Sequence, residues 1–415
     1  MNIKKLASAC AILLGIISAN AQNGTLSPYS RFGYGQLRDN ATSAQRSMGG
    51  IGYAMNSGRQ INVMNPASYA RIDSMTFLFD MGVDLTNVWM REGDLKESHI
   101  GGGLDYITMQ FPICRYVGAS IGVLPYSSVG YAFGNTIDNG TDSRSGGGSF
   151  NLLYVGVAGR PFKNFSVGAN ISYMFGTIYN DTYAYTVTGG STLFERQLGV
   201  RDYHLEFGAQ YDFNIGRKNT FTLGLTYAPG KKLLGHYREY VYDPSVSSDP
   251  VENAVGRLGD RYSLADSWGA GVNYRWNDRL MVEGDFTYQP WSKAKFPGID
   301  DEGVVGDNGL TDRYRLALGG EYTPARRGNY LQTMAYRAGF HWSRDYLYVR
   351  GNNVREYGAS VGFGLPVPGF KTTLNIGLEW TRRRAYPSPL IKEDYLFVTL
   401  GINFNESWFR KNKIY

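Results

Sequence analysis

The residues able to do chemistry in this 415-residue chain are mostly charged side chains set at every second position of alternating stretches. Asp80, Asp84, Glu206, Asp212, Arg275, Glu283, Asp285, Arg315, Glu321, Arg337, Lys371 and Glu379 all fall on the polar parity of such stretches. Nearby carboxylates among these could suggest acid–base work, and an inward carboxylate and arginine could bind a fatty-acid head group. Neither chemistry finds its other parts. The four histidines, 99, 204, 236 and 341, show no HxxxH or Cys/His spacing for a metal. No G-x-S-x-G elbow is present, and Ser127-Ser128 has no histidine at a recognisable spacing. Gly101-Gly102-Gly103 and Gly146-Gly147-Gly148 lack the lysine and helix that a phosphate loop needs. The reading is no enzyme, no metal and no cofactor, with the charges pairing among themselves to fill a wet interior.

What must position these charges is a long succession of strands. From Phe77 to Thr86 the odd positions are all large and apolar, whereas the even ones include Asp80, Gly82, Asp84 and Thr86. Such alternation means one lipid-like face and one wet face. It returns at Ile107–Ile113, Phe165–Phe175, Tyr203–Phe213, Trp268–Trp276, Tyr314–Leu318, Met334–Trp342, Phe370–Trp380 and Leu396–Phe404. Weaker segments near 117–131, 149–160, 219–229, 279–290 and 352–365 bring the count to about fourteen. Connections alternate between short ones, such as Arg115-Tyr116 and Asn277–Arg279, and long polar ones near 91–102, 134–148, 178–202, 230–264, 292–311, 343–353 and 383–392. Short turns on one side and long solvated loops on the other divide periplasm from exterior in outer-membrane barrels, which places both termini in the periplasm. Trp268, Trp276, Trp342 and Trp380 sit where aromatic girdles belong. The expected fold is therefore all-β, a transmembrane antiparallel β-barrel of about fourteen strands.

Composition agrees. The chain has 53 Gly, 32 Tyr, 21 Phe and 7 Trp, a negative mean hydropathy and no apolar run long enough for a spanning helix. The net charge of +6 is spread along the chain, so no nucleic-acid partner is expected. Lys4 and Lys5, an apolar stretch from Leu6 to Ile17, and Ala19-Asn20-Ala21 read as a signal peptide over residues 1–21. Cys10 precedes most of that stretch, against a lipid anchor, and its removal leaves Cys114 alone, so no disulfide forms.

One stretch escapes the alternation. Arg46–Arg71, RSMGGIGYAMNSGRQINVMNPASYAR, follows neither helical nor strand period. Its Gly and Asn suit a loose periplasmic tail or a plug inside the barrel, and the plug is the reading adopted. Apolar inward positions assigned to Leu153, Val155 and Val157, and to Tyr395 and Phe397, suggest a hydrophobic chamber beside Ile51, Tyr53, Met55, Ile61, Val63 and Met64. In the third strand, Pro125 interrupts a wall that should pair on both sides, so a kink or bulge is expected there.

Met48-Gly49-Gly50-x-Gly52 and Asn65-Pro66-Ala67-Ser68 resemble the N-terminal hatch signatures of the FadL/OmpP1/TodX family of outer-membrane transporters for hydrophobic compounds. The resemblance implies a hatch over residues 22–75, a barrel over 76–405 and a periplasmic tail over 406–415. It implies ligand contacts at Met48, Gly49, Gly50, Ile51, Tyr53, Met64, Asn65, Pro66, Ala67, Val155 and Phe397, and a lateral opening at Pro125, Tyr126 and Ser127. Two departures stand out: the chain runs about ten residues past Phe404, and the third and fourth loops lack an apolar patch. The leading expectation is passive uptake of hydrophobic, fatty-acid-like molecules across the outer membrane, with that ligand and membrane lipid as partners. The alternative is a non-transporting barrel that binds other outer-membrane proteins in a secretion or assembly complex. On either reading the processed chain should need detergent and migrate differently in gels before and after heating; a compact monomer in plain buffer would refute both.

Overall fold

A computed structural model describes residues 26–137, 140–186, 191–242, 251–297 and 309–407. The expected signal peptide over residues 1–21, Cys10, the tip Asp138-Asn139 and residues 408–415 of the expected tail lie outside them.

Seventeen strands form one antiparallel sheet. Fourteen close the wall: β2 (Thr76–Glu92), β3 (Leu95–Cys114), β4 (Val117–Ile137), β5 (Gly140–Phe162), β6 (Phe165–Thr186), β7 (Ser191–Ile215), β8 (Asn219–Ala228), β11 (Ser267–Trp276), β12 (Leu280–Gln289), β13 (Arg313–Tyr322), β14 (Ala335–Val349), β15 (Asn352–Pro366), β16 (Thr373–Tyr386) and β17 (Lys392–Ser407). Closure comes from β17 against β2, where Phe404 faces Phe79, and from β8 against β11. The other three strands are not wall strands. β9 (Gly235–Tyr242) and β10 (Val251–Arg257) form a hairpin riding on the upper half of β7. β1 (Gln36–Leu37) lies inside and pairs with β4.

The alternation explains the closure. Leu225, Phe286, Leu316, Phe340, Val361 and Leu378 are at least two-fifths exposed and point outward. Asp80, Asp212, Glu283, Arg315 and Arg337, on the other parity, are buried within. Lys371 is the exception, exposed in the short turn before β16.

Strand length is where the structure departs from expectation. The loops expected near 91–102, 134–148 and 178–202 are largely ladder: β2 and β3 pair up to Glu92↔Leu95, β4 and β5 to Ile137↔Gly140. β17 likewise runs to Ser407, two residues into the expected tail. Beyond the lipid both faces are wet, so the polarity period that marks a strand vanishes while the backbone pairing continues.

Candidate functional site

Residues 26–75 thread the lumen. Their local folding starts at a one-turn helix, Ser43–Arg46, where the Gln45 side chain accepts from Thr42 N at 2.9 Å. Gly49 and Gly50 follow with φ of +73° and +72°, open to glycine and strained for other residues. They turn the chain back so that Gly50 N donates to Gln45 O at 2.9 Å. Asn62 braces this fold, accepting from the Gln45 amide at 2.8 Å and donating to Gly52 O and Met55 O. Asn65 accepts from Ala67 N at 3.0 Å, capping the 3-10 turn Pro66–Arg71, and donates to Tyr53 O at 2.6 Å. The two short signatures are thereby joined.

A segment without regular structure leaves backbone groups in need of partners. The inner wall supplies them. Asp285 accepts from Gly52 N at 2.7 Å and Tyr53 N at 3.0 Å, and Glu283 accepts from Ala54 N at 2.9 Å. Arg315 donates to Gly49 O at 2.7 Å and Gly50 O at 3.3 Å, and Arg275 to Asn56 O at 2.5 Å. Ion pairs add to this: Arg46–Asp105 at 2.9 Å, Arg315–Asp39 at 3.0 Å, Arg313–Asp39 at 3.3 Å and Arg71–Asp212. The wall also clears space. A Cβ at Gly319 or Gly339 would overlap the backbone of Met48, and one at Gly224 the backbone of Tyr53. Met48, Ile51 and Met55 then pack with Met281 and Ala317.

The residues singled out by sequence fall into three places. Met48, Gly49, Gly50, Ile51, Tyr53, Met64, Asn65, Pro66 and Ala67 lie together inside, against wall side chains. Phe397 also faces inward, stacked on Tyr395 with centroids 5.6 Å apart, and lines one cavity with Gly49, Gly50, Gln36 and Arg38. Val155 is a correction. With Leu153 and Val157 it faces outward, 47% exposed, while Leu152, Tyr154 and Ala158 take the inner face. Both faces of β5 are apolar, so parity alone misassigned them. What decides is Tyr154, whose hydroxyl needs and finds Ser120 at 2.8 Å, and Gly156, which makes room for Tyr69.

Pro125, Tyr126 and Ser127 mark a break in the wall. β3 and β4 pair only from Cys114↔Val117 to Ile107↔Val123. Above that, β3 stays with β2 and β4 with β5, and the β4–β5 register shifts between Pro125 and Ser127. Proline cannot donate to a ladder, and the shift accommodates it. From Ser127 to Tyr131 β4 is buried on both faces, Ser127 and Ser128 pair with Leu37 and Gln36, and Arg38 N donates to Tyr126 O at 2.9 Å. Two cavities lie behind the break, of about 10 Å³ and 70 Å³. The larger is lined by Arg38, Asp39, Arg315, His341 and Glu356, a polar set roomy enough for water.

The family model for BamG matches residues 2–415. The chain belongs to the BamG family. The FadL-type relation read from the two signatures holds at the level of fold. A FadL homologue of Pseudomonas aeruginosa superposes with a TM-score of 0.60 at 15% identity, covering 89% of this chain and 99% of its own. The toluene transporter TodX of P. putida gives 0.61 at 12%, covering 90% and 100%. The toluene transporter TbuX of Ralstonia pickettii gives 0.54 at 13%, covering 88% and 98%. No curated protein matches the chain.

Several partners that this BamG-family lumen uses had no sequence signal. Asp39 lies in an aperiodic segment. Glu356 and Arg383, paired at 2.6 Å, follow the inward parity of β15 and β16, but in stretches that read as the margins of loops. Burial alone would raise the Asp39 carboxyl, but Arg315 and Arg313 outweigh it and hold it below the ordinary carboxylate range. A depressed folded pKa means the pair supports the docked segment above the unfolded carboxylate range and is lost as pH falls through the folded value. Trypsin cleavage at Arg46, which is shielded in the folded chain, should therefore be as slow at about pH 6 as at about pH 8, both above the carboxylate range. Asp39→Asn should raise it several-fold at neutral pH. Gly339→Val should cost about 1–3 kcal/mol in denaturant midpoints by overpacking against Met48, whereas Gly284→Ala, whose Cβ would meet Leu318 at an ordinary 3.7 Å, should cost little.

Proposed function

We propose that this chain is a non-transporting, FadL-type barrel of the outer membrane that acts as an interaction subunit of an outer-membrane protein assembly or secretion complex. One observation carries the reading: the lumen is occupied by residues 26–75, fastened to the wall by backbone hydrogen bonds and buried ion pairs. Two of the spaces left between them, about 10 Å³ and 70 Å³, fall below the roughly 150 Å³ that accepts even benzene. They are far below the ~300–1,000 Å³ of ordinary ligand pockets. Membership of the BamG family favours the same reading. The residues on the segment then act as a plug, and the long strands above the lipid offer contact surface to partners.

The second reading, passive uptake of hydrophobic compounds, draws support from the fold shared with the toluene transporters and from the wall break beside Pro125. In it the segment would have to move before ligand could pass to the membrane.

Depletion of the protein separates the two. The assembly reading expects fewer folded, heat-modifiable outer-membrane barrels and unchanged uptake of labelled toluene or fatty acid. Normal barrel assembly with reduced uptake, together with purification in mild detergent as a lone monomer holding apolar ligand, would overturn it.

A further inference from the structure

Six cations form one row in hydrogen-bond register on the barrel's outward face, in the half of the wall remote from the chain termini, and the row climbs with the tilt of the strands. Arg344 on β14 stands opposite Arg355 on β15, and Arg355 opposite Arg384 on β16. Lys392 on β17 stands opposite Arg91 on β2, and Arg91 opposite Lys96 on β3. Arg384 and Lys392 each lie one step beyond Arg383↔Glu393, the last pair joining β16 to β17. The row thus crosses six adjacent strands, at about 4.8 Å per strand.

Like charges directly opposite each other in a ladder repel, and no ion pair among the described residues offsets them. Asp394 shares the face but is taken by Arg382 at 2.5 and 3.1 Å. Arg344 donates to the neutral Asn353 at 2.8 Å, and Arg355 lies 4.0 Å from the centre of the Tyr386 ring. Among the described residues none of the six pairs with a carboxylate, and Arg384 Nε, shielded from solvent, has no hydrogen-bond partner. A shielded guanidinium nitrogen without an acceptor calls for one from outside the chain.

Depth identifies the source. Two positions nearer the membrane on the same face stand Trp342 on β14, Tyr357 on β15 and Trp89 on β2, with Trp380 four positions below Arg384. Aromatic side chains of this kind lie at the lipid–water boundary, so the row meets head-group level at Arg344, Arg355 and Arg384 and climbs outward from there through Lys392, Arg91 and Lys96. Below the aromatics the face is apolar, with Phe340, Val361 and Leu378 half exposed. Guanidinium groups hold phosphate bidentately. We propose that this row binds the phosphates of lipid A in the outer leaflet, fixing a glycolipid against β14–β17, β2 and β3. The proposal rests on the outer-membrane placement given above.

Native mass spectrometry of the purified full chain, titrated with lipid A, tests it. The chain should carry lipid A, and dephosphorylated lipid A should bind at least roughly tenfold more weakly, the loss of one or more charge-assisted contacts. The Arg355→Ser/Arg384→Ser/Lys392→Ser variant should show the same loss. Arg115→Ser/Lys163→Ser/Arg217→Ser, removing three exposed cations at the short-turn end, should bind as the parent does. Heat-dependent mobility reports folding of each variant, and Arg384→Gln replaces the triple if that one fails to fold. Retention of lipid A by the first variant, equal binding of the dephosphorylated lipid, or full displacement by inorganic phosphate would each overturn the proposal. Cell fractionation that places the chain elsewhere than the outer membrane would instead refute the placement.

Discussion

The structure depends on satisfying the backbone of a segment that has almost no secondary structure. Residues 26–75 sit where bulk water is scarce, and an unmet buried N–H or C=O costs about as much as a lost hydrogen bond. Asp285, Glu283, Arg315 and Arg275 meet these groups directly, so the charges on the inner wall serve as a template for one chain path. Glycines at 319, 339 and 224 let that path lie in contact with the strands. The charges would be unfavourable alone in such a place, and the segment would be disordered without them. Each makes the other tolerable.

The same constraint accounts for the break in the wall. Where Pro125 ends regular pairing, β4 turns inward and takes β1 of the segment as its partner. The edge that β4 would otherwise expose is therefore partly used by the segment's own backbone, whereas the upper part of β3 keeps only β2 as neighbour. Tyr346 fastens the same region, its hydroxyl donating to Gly35 O at 2.5 Å and accepting from Tyr34 N at 3.0 Å. Residues 26–75 and the wall are one folded unit here, and an opening would have to undo hydrogen bonds on several strands together.

How much of this was legible in the sequence follows from where lipid enforces a pattern. Within the hydrocarbon layer the alternation in β2, β6, β11 and β16 gives both the strand and the face, and the barrel of fourteen follows. Above it the enforcement stops, and ladders such as Tyr179↔Gln197 read as polar loop. β5 is apolar on both faces, so the parity of Val155 was ambiguous until Tyr154 and Gly156 were seen against their neighbours. Met48–Ala67 could be recognised as a unit by its aperiodicity and its two signatures. Its ionic partners could not, because Asp39–Arg315 and Arg46–Asp105 join positions tens to hundreds of residues apart, and no local rule couples them.

The central claim is that residues 48–55 are held by the wall as firmly as the wall holds itself. Hydrogen–deuterium exchange on the purified barrel tests this most directly, comparing amides of Gly49–Ala54 with those of β12 and β13. The account predicts protection of the segment equal to that of the strands within an order of magnitude. Exchange of those amides at the rate of an open loop, with β12 and β13 still protected, would contradict it.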